Sequence, residues 1–214
     1  MNSLSKMRWD QSIENLKAYF VQHESNPENP RKWAKVHDQV AAWISTKGTT
    51  GKLLDAGCRR GELKRSTKFP SQIEYVGIDP VRVDEFAYDF EYRCETLETT
   101  TYGERTFEFV LIKDSIDCFE DPIAAIASAF RVLNLGGLLL ISEDGFVESA
   151  GGFVTTIAEF LKGGPRQTKS NAHATYPNGD LSLSYILRCI GSTGFRGVER
   201  HIVGSRLFIS AIRS

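Results

Sequence analysis

Apolar residues recur along this chain at two spacings, and the alternation between them sets out an order of elements. Trp9, Ile13, Leu16 and Phe20 share one helical face, and Trp33, Val36, Val40 and Ile44 repeat the spacing after Asn26-Pro27-Glu28-Asn29-Pro30. Two amphipathic helices are predicted there. Short apolar runs then predict strands at 52–56, 73–79, 88–93, 107–113 and 137–142. Before the last of these, Asp121-Pro122 reads as N-cap and first turn of a helix whose buried face is Ile123, Ile126, Ala127, Phe130 and Leu133. That helix is expected to close at Gly136-Gly137. A helix near 150–162, a Gly-, Pro-, Lys- and Asn-rich loop at 163–179, and a helix capped by Asp180 follow. Leu181, Leu183, Ile186, Leu187 and Ile190 line that last helix, which ends near Gly191 and Gly194. Strands at 198–203 and 206–212, joined at Gly204-Ser205, complete the chain. Strands alternating with helices predict a doubly wound, mostly parallel α/β sheet, which binds ligands beyond the carboxyl ends of its strands.

A chain of 214 residues with 41% hydrophobic content can bury one substantial core, so one domain is expected. It divides into a helical cap (1–48), a ligand-binding half (49–145), and a part holding a lid loop, helices and the final strands (146–214). No charged-then-apolar leader opens the sequence, and no run reaches the roughly 20 apolar residues that span a bilayer. A soluble, cytoplasmic protein without a membrane partner is expected. Cys58, Cys94, Cys118 and Cys189 are far apart, with no C-x-x-C and no histidine at zinc spacing, so reduced thiols and no metal are expected. Net charge is −1, but residues 162–214 carry 8 basic and 2 acidic side chains. Lys162, Arg166, Lys169, Arg188, Arg196, Arg200, Arg206 and Arg213 offer either a positive face for an anionic substrate or a solvated surface offsetting an acidic remainder.

The most informative stretch is Leu53-Leu54-Asp55-Ala56-Gly57-Cys58-Arg59-Arg60-Gly61-Glu62-Leu63, followed by Tyr75-Val76-Gly77-Ile78-Asp79-Pro80. An apolar run ends in an acid, glycines turn the chain towards a helix, and a second apolar run ends in another acid 22 residues after Gly57. That arrangement suits a nucleoside whose ribose is held by Asp79. A dinucleotide does not fit: G-x-G-x-x-G is absent, Arg59 stands where the backbone must approach a pyrophosphate, and Glu62 stands at the third glycine.

Asp55, Gly57 and Gly61 resemble motif I of class I S-adenosylmethionine-dependent methyltransferases, roughly D-x-G-x-G-x-G, with Arg59 replacing the middle glycine. Arg131-Val132-Leu133-Asn134-Leu135-Gly136-Gly137, leading into Leu138–Ser142, resembles the Arg-Val-Leu-Lys-Pro-Gly-Gly passage of the same superfamily, in its small-molecule branch. With Asp79, three segments in order cover residues 50–145. The resemblance implies a Rossmann-like, seven-stranded sheet with helices on both faces and an antiparallel last strand. It implies S-adenosylmethionine as cofactor, with the loop of Asp55, Gly57, Cys58 and Gly61 under its methionine half and Asp79 on the ribose. Glu95, after the third strand, falls beside the adenine, and Lys113 and Asp114, after the fourth, fall near cofactor and substrate. Relatives often carry a histidine where Cys118 stands. The Asn/Asp-Pro-Pro-Tyr/Phe signature of many nucleobase N-methyltransferases is absent, so nucleic acid is not the expected substrate. His173 and Tyr176 lie where small-molecule relatives carry an acceptor-facing histidine and aromatic, which makes His173 the candidate base. His37, beside Trp33, is a second acceptor-side candidate.

The expected activity is methyl transfer to oxygen or nitrogen of a small, sugar-like or anionic metabolite. Two alternatives stay open: a catalytically silent member that binds cofactor or a partner protein, and an RNA or protein methyltransferase guided by the basic C-terminal part. The oligomeric state is open as well, a homodimer included.

Overall fold

The computed structural model describes residues 11, 13, 14, 17, 18, 29–83, 86–144 and 183–214. The predicted helix at 150–162, the lid loop, His173, Tyr176 and most of the first predicted helix lie outside these residues.

Seven strands form one sheet: β1 (Thr50–Ala56), β2 (Gln72–Ile78), β3 (Glu91–Arg93), β4 (Phe107–Lys113), β5 (Leu133–Glu143), β6 (Arg196–Val203) and β7 (Arg206–Ile212), in spatial order β3-β2-β1-β4-β5-β7-β6. β1 pairs in parallel with β2 and β4, β3 with β2, and β5 with β4. β7 is antiparallel to both β5 and β6, as expected of the last strand.

Side chains alternate across a strand, and the alternation divides the core. Leu54, Val76, Val110, Ile112, Leu139, Ile141 and Ile209 pack on α2 (Pro122–Val132) and α3 (Leu183–Ser192). Leu53, Tyr75, Phe109, Leu111, Leu140 and Phe208 face α1 (Asn29–Lys47), which contributes Val40, Ala41, Trp43 and Ile44. The helical spacing read from the sequence therefore identifies the buried stripe of α1, and helices cover both faces. Asp121 caps α2 by accepting from the N–H groups of Ile123 (3.0 Å) and Ala124 (3.1 Å), with Pro122 in the first turn. Ile123 and Ala127, both expected on the buried face, are exposed: the buried stripe runs through Pro122, Ala125, Ile126, Ala129 and Val132 instead.

Two expectations change. The β1–β2 connection holds only a four-residue 3-10 helix, Glu62–Arg65, in place of a full crossover helix. It stops at Ser66, whose N–H donates to the Leu63 carbonyl and whose hydroxyl donates to Asp38 of α1 (2.6 Å). Next, α2 ends at Val132, ahead of the glycines, and β5 begins at once. Gly136 and Gly137 are inside that strand, beside an irregularity in the β4–β5 register. A Cβ on Gly137 would meet the Asn134 carbonyl oxygen at 2.9 Å, so the glycine permits close backbone approach.

Among the described residues no helix is long and apolar enough to cross a membrane, and no group of three or more His, Cys, Asp or Glu side chains is placed to hold a metal ion.

Candidate active site

The carboxyl ends of β2, β1, β4 and β5 bring together the segments at 79–81, 57–61, 113–118 and 143–144. The loop after β1 is fastened from below. The Ile78 carbonyl accepts from the N–H groups of Gly57 (2.9 Å) and Cys58 (3.1 Å), and Ser115 donates its hydroxyl to the Ala56 carbonyl (2.9 Å). Gly57, at φ 88°, lies so close to Ser115 that a Cβ would stand 2.8 Å from its hydroxyl oxygen. Gly61, at φ 69°, is pressed on the Phe90 ring. Both glycines are thus required by contacts within the protein. The middle position of the motif, Arg59, holds a glycine-like φ of 51° while carrying a long side chain; for an L-residue that conformation costs on the order of 1 kcal/mol.

Asp79, just beyond β2, is buried. Its Oδ2 accepts from the Arg59 N–H (2.9 Å) and its Oδ1 from the Val81 N–H (2.8 Å). Burial lifts its carboxyl to about 6, against the pull of those two N–H groups. Each oxygen keeps acceptor capacity after one backbone bond, since a carboxylate offers about four lone-pair sites. Tyr92 donates to the Asp79 carbonyl (2.9 Å), tying this turn to β3.

Asp55 ends the buried part of β1. Tyr75 donates its hydroxyl to Oδ2 (2.5 Å), while Oδ1 is buried with no protein donor. Burial raises its carboxyl to about 6. Cys58 is a buried thiol whose pKa is pushed far up by burial and by the nearby Asp55 and Asp79 carboxylates.

The end of β4 is different. Asp114, at φ 52°, accepts from Arg206 (2.8 Å) and from the Asp144 N–H (3.1 Å), and Lys113 lies 3.4 Å away. Burial pushes its carboxyl up, but Lys113 and Arg206 outweigh that and hold it below the usual carboxylate range. Glu143, at the end of β5, accepts from the N–H groups of Ser115 and Ile116 (3.1 Å each). Burial, then Asp117 and Asp114, push it well above the usual range. Cys118 is likewise pushed well above a normal thiol by burial and by Asp117, which disfavours the thiolate.

Helix α1 leans over this end of the sheet. Lys113 Nζ stands 5.7 Å from the centre of the Trp33 ring, and Trp33 stacks on His37 with centroids 6.3 Å apart. Burial first, and then the positive charge of Lys113, lower His37 to about 4, so it is neutral at pH 7. Glu95, just beyond β3, is tied to the Asp79 turn, since its N–H (3.0 Å) and that of Asp79 (3.2 Å) donate to the same Arg93 carbonyl; its carboxylate accepts from Thr100, from the Thr101 hydroxyl and from the Thr101 N–H.

The structure thus gathers Asp55, Gly57, Cys58, Gly61, Asp79, Lys113, Asp114 and His37 at one end of the sheet. It adds Tyr75, Ser115, Glu143 and Arg206. An acid directly after the apolar run of β5 was a legible signal for Glu143, by analogy with Asp79. Nothing local marked Arg206 as the partner of an acid 92 residues earlier. The basic C-terminal part is also not one surface. Arg206 and Arg213 are buried, Arg213 donating to the Arg131 and Leu133 carbonyls, whereas Arg188, Arg196 and Arg200 are exposed.

A family model described as a methyltransferase domain matches residues 25–177. No curated protein sequence matches the chain. Among solved structures, a protein of Thermotoga maritima described as a SAM-dependent methyltransferase and possible histamine N-methyltransferase superposes with a TM-score of 0.59 at 16% identity, covering 97% of this chain and 99% of its own. Human N-acetylserotonin methyltransferase, in complex with SAM, gives 0.62 at 11% identity over 87% of this chain and 54% of its own. Haemonchus contortus phosphoethanolamine N-methyltransferase 2 gives 0.53 at 15% identity, over 77% and 49%. At these identities the superpositions establish a shared fold.

Proposed function

The chain belongs to the methyltransferase-domain family, and from that premise we propose that it methylates oxygen or nitrogen of a small metabolite, an amine, a sugar-like alcohol or an anionic acceptor. It is an enzyme that uses S-adenosylmethionine as methyl donor.

One observation carries the cofactor assignment to particular residues. Asp79 is a buried carboxylate whose hydrogen bonds come from two backbone N–H groups, so both oxygens can accept ribose hydroxyls. Asp55 Oδ1 adds a buried acceptor without a protein donor. These groups fit a nucleoside bearing an amino-acid chain. When bound, the cofactor supplies an electrophilic methyl on a sulfonium.

The protein's own work is alignment, which can contribute up to roughly 7–11 kcal/mol for ideal geometry. Asp79 fixes the ribose, the loop 57–61 supports the chain beyond it, and the Trp33–His37 face of α1 closes the acceptor side next to Lys113. His37, neutral at pH 7, accepts or donates one hydrogen bond to the acceptor. His173 serves as base and Tyr176 as acceptor contact in this proposal, by resemblance to small-molecule relatives. The neighbours described as a possible histamine N-methyltransferase, an N-acetylserotonin methyltransferase and a phosphoethanolamine N-methyltransferase support a small acceptor. We place the protein in the cytoplasm, without a membrane partner or a nucleic-acid substrate.

Thermal unfolding with S-adenosylhomocysteine and with NAD as control tests the cofactor. At about a hundred times Kd the gain is about 2.7 kcal/mol, a rise in Tm of roughly 5–11 °C for a chain of this size. A rise with S-adenosylhomocysteine alone is expected; equal responses to both ligands, or none, overturn the assignment.

A further inference from the structure

Arg59 stands where the family motif has glycine, and the structure shows what holds it there. Its N–H is committed to Asp79 Oδ2 at 2.9 Å. Its guanidinium charge acts on the Asp79 carboxyl and lies 3.8 Å from Glu62, with both side chains partly exposed. The strained backbone would relax with glycine, so the loop gives an arginine a place that geometry alone does not favour.

The strand order fixes what passes over this loop. β3, β2, β1 and β4 are consecutive in the sheet. Asp79 marks the ribose position at β2, and the Trp33–His37 face marks the acceptor side at β4. A methyl group travelling from the nucleoside to the acceptor must lie between them, over the end of β1. The amino-acid chain attached to the same sulfur is then beside residues 57–61. On S-adenosylmethionine the carboxylate is the one anionic group, and Arg59 is a cation in that loop.

We infer that Arg59 binds the carboxylate of the cofactor's methionine half, a specificity role resting on the cofactor assignment above. A guanidinium has five donors in a planar fork, so it can hold a carboxylate in two hydrogen bonds and keep Glu62 as a second, more exposed partner. The acids that act on it, Asp79 and Glu62, keep the guanidinium oriented in the loop. Arg59 then distinguishes cofactors that carry the amino acid from nucleosides that lack it.

The test compares S-adenosylhomocysteine with 5′-methylthioadenosine, which shares the nucleoside and sulfur but lacks the amino acid, by calorimetric titration of the full chain. Arg59→Gln is expected to weaken S-adenosylhomocysteine about tenfold, about 1.4 kcal/mol, and to leave 5′-methylthioadenosine within about twofold. Arg59→Lys should fall between. Arg59→Gly, which removes the strain, should keep or raise the Tm of the free protein and still lose the homocysteine-bearing ligand selectively. Equal losses for both ligands, no loss, or tighter S-adenosylhomocysteine binding by Arg59→Gly would overturn the inference and leave the cofactor assignment standing. A wild-type protein that binds neither ligand overturns both.

Discussion

Asp79 and Asp114 both follow parallel strands, both are shielded from solvent, and they are handled in opposite ways. Asp114 is neutralised inside the protein: Arg206 donates to it at 2.8 Å, Lys113 stands beside it, and its carboxyl is held below the usual range. Asp79 accepts from backbone N–H groups, and its carboxyl is raised to about 6. The first arrangement locks β4, β5 and β7 together at their ends. The second leaves a desolvated acceptor at β2 suited to hydroxyl donors of a ligand. Acids at equivalent places in one sheet thus differ in whether a buried cation hydrogen-bonds the carboxylate: Arg206 does so at Asp114, whereas Asp79 is held by backbone N–H groups.

The largest expected effect attacks the fastener. Arg206→Ala leaves the Asp114 charge without its buried partner, which costs about 3–5 kcal/mol. Tm should fall by roughly 6–20 °C at ~2–4 °C per kcal/mol, read by calorimetry; a loss no greater than that of exposed Arg200→Ala would erase the contrast. Next comes the binder. Asp79→Ala should retain the fold and reduce S-adenosylhomocysteine affinity by at least about a hundredfold, from two lost charge-assisted bonds of about 1.5–3 kcal/mol each. Unchanged affinity in titration would remove Asp79 from the ribose site. Gly61→Ala, at φ 69° against Phe90, should destabilise by about 1–3 kcal/mol in urea unfolding. A neutral result would mean that Phe90 yields freely.

The smallest effect concerns pH. His37 is lowered from 6.5 to about 4, so the unfolded chain takes up its proton first as pH falls. The stability it contributes is present above pH 6.5 and is lost between about 6.5 and 4. Asp55 and Asp79, raised to about 6, work in the other direction: their contribution is present below about 3.8 and is lost as pH rises through 6. Replacing His37 with Gln should therefore make stability rise more steeply on acidification from pH 6.5 to 4, by on the order of 1–2 kcal/mol once partial exposure is discounted. Parallel curves for the variant and wild type would place His37 in solvent.

Much of the scaffold was legible because it depends on spacing. The predicted strand at 107–113 coincides with β4, that at 206–212 with β7, and Asp121-Pro122 opens α2 as expected. The β1–β2 connection and the Gly136-Gly137 boundary were not, since a 3-10 turn held by Asp38 and an irregular β4–β5 register arise from contacts with distant segments. Gly57 and Gly61 were visible as necessary, although the partners that require them, Ser115 and Phe90, were not.

The order of elements, the family motif and the acid at the end of β2 are readable along the chain, because apolar periodicity and the residues of one short loop are local properties. Contacts across the fold set which acids are neutralised, which glycines are pressed on neighbours, and that Trp33 lies beside both Lys113 and His37. Each of those outcomes is set by a desolvated group meeting a partner from another part of the chain, and electrostatics in a buried site follows distance in space.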